Sequence, residues 1–594
     1  MMITVEIDMH LCSMRLINIK AFLEREGLIR EGKQVDRRAK VLEFGDDEVT
    51  EYAILSHRWI DQEVDYSEVV KLAKMDEEER TEIRQRNGYQ KILQTCEQAK
   101  KDGYKWLWVD TCCIDKRSSA ELSEAINSMY RWYANSRICY AYLHDVPGPS
   151  FPIAKDNARY PKSNGWPEWF SRGWTLQEMI APGNVQFFNK DWHPIGDKRT
   201  LAPTLHTITQ IPRDILKEGL SSNRPCVAQI MSWATDRTTT RVEDRAYSLM
   251  GLLDVNMPML YGEGKKAFHR LQLEVINTSN DHSIFAWGCN GIKVRTGSIL
   301  ADDPSFFRDC DKMKLMDRDE FIESLRRDRT IRYDEDLPSM EDSDRLSTFP
   351  ITNRGIQIWL FLLVGSGSTV FEALLPCCSH PSGPPVTIDL ALWESSYYRC
   401  PGSLRDDTGC LRLRHIYLSY QDTPRRNSFE IDDSAILKEG FTSSATCPEG
   451  LIAGNTVTLS ITDPLCIISY SSGRQKCHFA VSFGHLFDQN WIHVPREPGM
   501  IYGNTYDSML KRVLEDARST FKDRSEAASH RVSIIETQLS RSNWILQTSC
   551  VMWKSSKICG VKLEVFEDPY FSRMQGAWTG FDVDVSRFVF VHAH

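Results

Sequence analysis

Four short apolar runs between residues 52 and 188 do most to limit the folds open to this chain. They are Tyr52–Trp59 (YAILSHRW), Lys105–Asp110 (KWLWVD), Ile138–Leu143 (ICYAYL) and Val185–Phe188, each with the length and composition of a buried strand. The first two end in polar or acidic groups, as strands opening onto loops do. The stretches between them carry helical spacing. Tyr89–Lys101 places Ile92, Cys96 and Ala99 on one face. Ser118 and Glu121 have the separation of a capping box, in which each side chain satisfies the other's backbone donor. The helix they open runs to about Asn135, with Leu122, Ile126, Met129 and Tyr133 on one side. Trp169–Ile180 reads as a further helix, closed by Ala181-Pro182-Gly183. Strands alternating with helices imply an α/β fold: a mainly parallel sheet with helices on both faces. Ligands in such folds bind beyond the carboxyl ends of the strands. Ser56, His57, Arg58, Trp59 and Asp110 fall there.

A chain of 594 residues is too long for one core, so the reading extends to several domains. Residues 1–51 form a lead-in, with a strand at Met14–Asn18 and a short helix at Ala21–Glu26. The α/β domain spans 52–192. A helical extension follows over 193–290, with helices at Leu201–Thr209, Val227–Ala234, Val242–Leu253 and Gly264–Asn277 and a strand at Ser283–Gly288. Residues 291–345 read as a charged linker, whose most heavily charged stretch, 310–345, suits a linker or an exposed helix. Residues 346–594 read as a β-rich domain, from apolar runs at Ile356–Leu363, Val386–Leu392, Thr456–Ile461 and Phe588–Val591. Asp507–His530 is polar and charged, as a surface helix is.

Charge and cysteine usage narrow the function classes. The formal net charge of −9 argues against a dedicated nucleic-acid binder. Seventeen cysteines without any CxxC, behind an N-terminus with no basic region leading into an apolar one, read as reduced thiols in a cytoplasmic protein. The longest apolar run, Ile356–Val364, falls far short of the roughly 20 residues of a membrane helix. No phosphate loop is encoded: Gly262-Glu263-Gly264-Lys265-Lys266 lacks the four-residue gap, and Gly365-Ser366-Gly367-Ser368 lacks the lysine. Cys377, Cys378, His380, Cys400, Cys410 and His415 lack zinc-ligand spacing, so no metal is assigned. Cys112 and Cys113 could pair with His57 for thiol chemistry, but cysteines just after a strand are more often buried structural residues.

Four motifs in a fixed order carry a resemblance. They are Leu55-Ser56-His57-Arg58-Trp59, then Trp108-Val109-Asp110 with Cys113-Ile114-Asp115-Lys116, then Arg172-Gly173-Trp174-Thr175-Leu176-Gln177-Glu178, then Asp244-Arg245-Ala246-Tyr247-Ser248-Leu249-Met250-Gly251. Together they resemble the fungal heterokaryon-incompatibility (HET) domain family, over roughly residues 14 to 290. The departures are small: His57 and Arg58 stand where the family often has Tyr and other residues, and Lys116 where Gln is usual. The resemblance implies an allorecognition protein that signals a cell-death response through self-association and protein partners. It implies no required cofactor, no nucleic acid and no membrane.

HET domains are in turn similar to TIR domains, a flavodoxin-like signalling fold, some members of which cleave NAD at the nicotinamide–ribose bond. In that overlay Trp174-Thr175-Leu176-Gln177-Glu178 resembles the W-x-x-x-E element whose glutamate carries the cleavage, with NAD as substrate. Breaking that bond builds positive charge on the ribose, which a carboxylate can stabilise. Arg58 or Arg172 would hold the diphosphate through paired donors, and Trp59 or Trp174 would stack on a flat base. Each residue also has a plain structural reading. Glu178 can pair with Arg172 or sit in water, Trp174 can be core, Asp110 and Asp115 can cap turns, and Arg172 can be a buried ion-pair partner.

Overall fold

The computed structural model describes residues 13–36, 38, 40–46, 48, 50–60, 62–220, 224–288, 297–327, 332–333, 348–364, 370–381, 383–393, 396–400, 410–421, 427–447, 450–459, 465–473, 477–486, 489–494, 534–538, 544–552, 558–567 and 588–591. They divide into two compact units. The first comprises Met1–Ile292, Leu300–Phe321 and Pro376–Val386, and the second Lys293–Ile299, Ile322–Leu375 and Thr387–His594.

In the first unit the order is β1 (Ser13–Asn18), α1 (Ile19–Arg30), β2 (Leu42–Asp46), β3 (Tyr52–His57), α2 (Tyr66–Lys71), α3 (Glu77–Gln85), α4 (Asn87–Lys101), β4 (Trp106–Trp108), α5 (Ser119–Asn135) and β5 (Ile138–Tyr142). Then come α6 (Thr175–Ile180), β6 (Val185–Phe188), β7 (Pro194–Asp197), α7 (Ala202–Thr209), α8 (Arg213–Glu218), α9 (Val227–Ser232), α10 (Asp244–Tyr247), α11 (Met250–Leu253) and α12 (Lys266–Thr278). The seven strands form one mixed sheet in the order β2-β1-β4-β3-β5-β6-β7. Its centre, β4-β3-β5-β6, is parallel, with Ala53 opposite Leu107, Ile54 opposite Cys139 and Tyr140 opposite Gln186. The edges β1, β2 and β7 are antiparallel. The expectation of a mainly parallel sheet therefore holds for the centre alone. Only five residues separate β6 from β7, too few for the crossover a parallel pair requires.

The strand order also sorts the helices. The chain steps from β3 to β4 in one direction and from β4 to β5 in the other. Right-handed crossovers then put α4 and α5 on opposite faces, with α6 on the α5 side. On the α5 face Trp108 packs edge-on against Trp132 and Tyr133 at 5.6 and 5.8 Å. The Tyr52 hydroxyl donates to the Trp132 carbonyl at 2.5 Å. On the other face Tyr89 of α4 meets Phe22 of α1 at 5.6 Å.

Local chemistry explains where the elements differ from the sequence reading. The residues before Tyr52 supply two strands and a helix to this sheet rather than a lead-in. Ser118 caps α5 by accepting from the Glu121 amide at 3.3 Å, but the expected return bond is diverted. Glu121 instead accepts from Arg15 of β1 at 2.5 Å and from the Asp115 amide at 2.8 Å. Trp169–Ile180 is not one helix. A 3-10 turn at Glu168–Ser171 is followed by extended Arg172, and α6 starts only at Thr175. Thr238 pulls the chain open there: Gly173 N donates to its carbonyl at 2.9 Å, and its own amide donates to Ser171 O at 2.6 Å. Val242–Leu253 divides into α10 and α11. The strand expected at Ser283–Gly288 is a 3-10 turn at His282–Phe285, opened by Asp281, whose carboxylate accepts from the Ser283 amide.

The second unit is β-rich, as its alternating runs imply. Gly355–Val364 pairs antiparallel with Cys410–Leu418 along its whole length. Asn427–Asp432 pairs antiparallel with Thr456–Leu459 and parallel with Ile558–Glu567. Phe429, Phe441, Val457, Phe479, Phe483 and Leu563 lie in its core. The segment 507–530, read as a surface helix, lies outside the described residues, as do Ile461 and Cys289.

Close packing fixes one glycine. A Cβ on Gly251 of α11 would stand 2.1 Å from Tyr130 Cβ on α5. Gly251→Ala should therefore cost about 1–3 kcal/mol by overpacking, read as a lower thermal midpoint. Gly183→Ala, where nothing lies within 4 Å of the added atom, should leave the midpoint nearly unchanged.

Candidate functional site

β3 is buried at all six positions, so its polar residues must be satisfied by neighbours rather than by water. Ser56 meets Glu178 of α6: its Oγ donates to Glu178 Oε2 at 2.5 Å and accepts from the Trp169 indole at 2.9 Å. With the indole occupying one lone pair, the hydroxyl proton is directed at the carboxyl. Glu178 is only 6% exposed. Burial pushes its carboxyl up to about 8; Asp110 adds to this, while Ser56, Arg237 and Arg172 oppose it. Near pH 7 the group is mostly protonated and can donate a hydrogen bond or a proton. The Tyr133 hydroxyl, bonded to Leu55 O at 3.2 Å, closes the same space, and burial followed by Glu178 drives its phenol up.

One residue on, the His57 ring is buried between two acids, with Nε2 at 3.7 Å from Glu63 Oε2 and 3.9 Å from Asp110 Oδ1. Glu63 also takes the Lys91 ammonium and the Ile60 amide. Although burial works against it, His57 and Lys91 hold the Glu63 carboxyl at about 2. Asp110 Oδ2 accepts from the Trp59 indole at 2.7 Å. The Trp59 ring is 48% exposed and carries the Lys116 ammonium 4.1 Å from its centroid. Arg58 is paired with Glu168, whose amide donates to Asp145 Oδ2 at 2.8 Å.

The other candidates spread outward. Arg172 donates to Thr240 Oγ1 at 3.2 Å, and its carbonyl accepts from Arg237 at 2.8 Å. It makes no direct bond to Glu178 among the described residues. Burial raises the Asp244 carboxyl, with Tyr261 and then Trp174 opposing it, and Asp244 accepts from the Tyr261 hydroxyl at 3.0 Å. Asp115 stands apart: it holds Arg117 with both carboxylate oxygens and accepts from its amide at 3.2 Å, so it closes its own turn. Arg117 holds its carboxyl down at about 2. The structure thus joins Ser56 to Glu178, and His57, Trp59 and Asp110 to one another. It gives Arg58 and Trp174 to other partners and leaves Asp115 out.

Several participants were not singled out from sequence. Lys91 sits among buried α4 residues, and a lysine on an otherwise apolar helix face was a readable signal. Glu63, Trp169 and Arg237 carried none. His144, Asp145 and Glu168 each place one ligand-type atom within 4.8 Å of the others, an arrangement that could hold a cation, although Arg58 already occupies Glu168. Cys112 and Cys113 are buried, and the neighbouring thiol together with burial pushes Cys112 well up, which keeps it protonated.

The segments Tyr52–Trp59 and Leu107–Lys116, which bring these acids and bases to the strand ends, have known counterparts in sequence. Residues 52–164 match the family model described as Heterokaryon incompatibility protein (HET). Over that segment the chain is similar to HET domains. Over 231 residues it is 44% identical to Vegetative incompatibility protein HET-E-1 of Podospora anserina, covering 38% of this chain and 16% of that protein. The match thus spans under a fifth of the relative's length.

Protonated Glu178 has a consequence for stability. Its folded pKa of about 8 lies above the ordinary 4.5. Below pH 4.5 both folded and unfolded chains hold the proton. Between about 4.5 and 8 the unfolded chain releases it and the folded one does not, so stability falls as pH rises through that window. Glu178→Gln, which keeps the shape and an acceptor for Ser56, should flatten this loss. Thermal midpoints of the two proteins from pH 5 to 8.5 should converge at acid pH and separate in favour of the glutamine variant as pH rises.

Proposed function

We propose that this chain acts in vegetative incompatibility: its HET domain self-associates in the cytoplasm and triggers a cell-death response, with the β-rich half sensing or regulating. The carrying observation is the HET-family match over the strand ends β3 and β4, with the relative named for vegetative incompatibility. Self-association is a protein–protein event needing no nucleic acid, in keeping with the acidic chain. Expression of the full chain in fungal cells should reduce viability, and light scattering of purified protein should show mass rising with concentration. Unchanged viability with a constant monomer mass would remove this reading.

A second reading, that the same domain cleaves NAD, is favoured by one arrangement. Glu178 lies on α6 against the exit of β3, beside the reversal of strand order between β4 and β5, with Arg172 and Arg237 near enough to influence its charge. The parallel order β4-β3-β5-β6 supports the TIR-like, flavodoxin-like comparison. In this reading the carboxylate stabilises the ribose as nicotinamide leaves, and assembly opens the buried group to substrate. Ionised Glu178 is required, so nicotinamide release should rise with pH as the carboxyl loses its proton, at lower pH the further assembly relieves the burial that raises it. Glu178→Gln should lower it by roughly 100-fold or more. Absence of release from the assembled protein, or undiminished release from the variant, would leave signalling without NAD cleavage.

A further inference from the structure

The sheet of the first unit ends differently at its two edges. At one edge β7 is four residues long, begins at Pro194 and meets β6 through a register shift at Phe187/Phe188. Short length, proline and irregular register are the devices by which proteins blunt an edge strand. At the other edge β2 has neither proline nor register shift, and it pairs only with β1 among the described residues. Glu43, the charge in the middle of the strand, is tied back to Asn18 of β1 at 3.0 Å. The register fixes which backbone groups face outward. The Asn18 amide donates to Val41 O at 2.8 Å, so the pairs Leu16/Glu43 and Met14/Gly45 continue the bonding toward β1. On the far side of β1 the Ile19 amide donates to Lys105 O, in keeping with that alternation. The N–H and C=O groups of Leu42 and Phe44 therefore point away from the sheet, with no partner among the described residues.

The same strand carries exposed apolar surface. Phe44 is 66% exposed, while Arg15, opposite it on β1, lies 4.9 Å from its ring centroid. Arg15 is itself fixed by Glu121 at 2.5 Å and by the Tyr66 ring, which it covers at 4.3 Å. A held, exposed aromatic beside unpaired backbone is a template for one more strand. The residues of β2 suit a second copy of β2. Paired antiparallel about Phe44, the two Phe44 residues exchange both backbone bonds. Leu42 then falls opposite Asp46 and Glu43 opposite Gly45, so no like charges face each other. Asp46 O already accepts from the Thr50 amide at 2.9 Å, so the ladder tapers there. Just beyond it, Lys40 comes opposite Glu48 of the second copy, and both are exposed. Shifting the register by two residues sets Glu43 against its own copy in one direction and Phe44 against Asp46 in the other. One register alone is self-complementary.

We propose that the open edge of β2 is a two-fold interface between copies of this chain, centred on Phe44, with Lys40 of each copy beside Glu48 of the other. It rests on the self-association reading above and gives that reading its surface. Sedimentation equilibrium of the full chain tests it. The natural protein should approach twice its monomer mass as concentration rises. Phe44→Pro, which removes an outward N–H and leaves the bonds to β1, should raise the dimer Kd at least tenfold. Ile153→Lys, at a still more exposed apolar position (79%), should leave it unchanged. Lys40→Glu should weaken association about fivefold. Adding Glu48→Lys should restore it, a rescue that misfolding would not give. A constant monomer mass would overturn this interface together with the reading it rests on, leaving the edge to a strand of another protein. Dimerisation untouched by Phe44→Pro, or not restored by the charge swap, would overturn the interface alone, with self-association using a different surface.

Discussion

The candidate site depends on the complete burial of β3 between two parallel neighbours. With β4 on one side and β5 on the other, the strand's backbone is paired and its side chains are enclosed. A serine at its carboxyl end must then find a partner inside the protein, while the histidine beside it has acids within ion-pair range but no hydrogen bond to either ring nitrogen among the described residues. Ser56 finds Glu178, and His57 lies between Glu63 and Asp110. Position follows from the sheet; chemistry follows from what those positions exclude, which is water.

Exclusion of water divides the ionisable groups into two kinds. Glu63 is buried beside Lys91 and His57 and is held ionised. Glu178 is buried against a hydroxyl, a phenol and no directly bonded cation, and it is held protonated. The two acids flank the end of one strand with opposite protonation, because one is buried beside cations and the other is not. Arg237 lies behind α6 and moderates Glu178 from a distance. Its bonds to the Arg172 carbonyl and Thr175 hydroxyl anchor the opening of the helix that carries the acid.

Legibility varied with the range of the interaction that decided each feature. The strands at 52, 106, 138 and 185 were readable because a buried strand needs an apolar run, which is a local property. The join of Ser56 to Glu178 was readable only as two motifs that a resemblance placed together, since 122 residues separate them. The interruption at Arg172–Trp174 was not readable. Its helical pattern is intact, and the distant segment at Thr238 extends the backbone there. The 3-10 turn at His282–Phe285 depends on one carboxylate at Asp281 outcompeting an apolar run that otherwise suits a strand. Asp115 and Arg58 illustrate the limit for sites: both occupy motif positions, and both spend their charge on neighbours that the motif does not contain.

By itself, the sequence determined the class of the first unit, the order of its central elements, the β-rich character of the second and part of the set gathered at the strand ends, namely Ser56, His57, Trp59, Asp110 and Glu178. Apolar periodicity and turn chemistry act over a few residues, so they are written directly in the chain. Tertiary structure alone decided which acids are charged and which arginines are paired. Those outcomes turn on burial and on partners far away in sequence, and a carboxyl group has no fixed protonation until its surroundings have taken away the water.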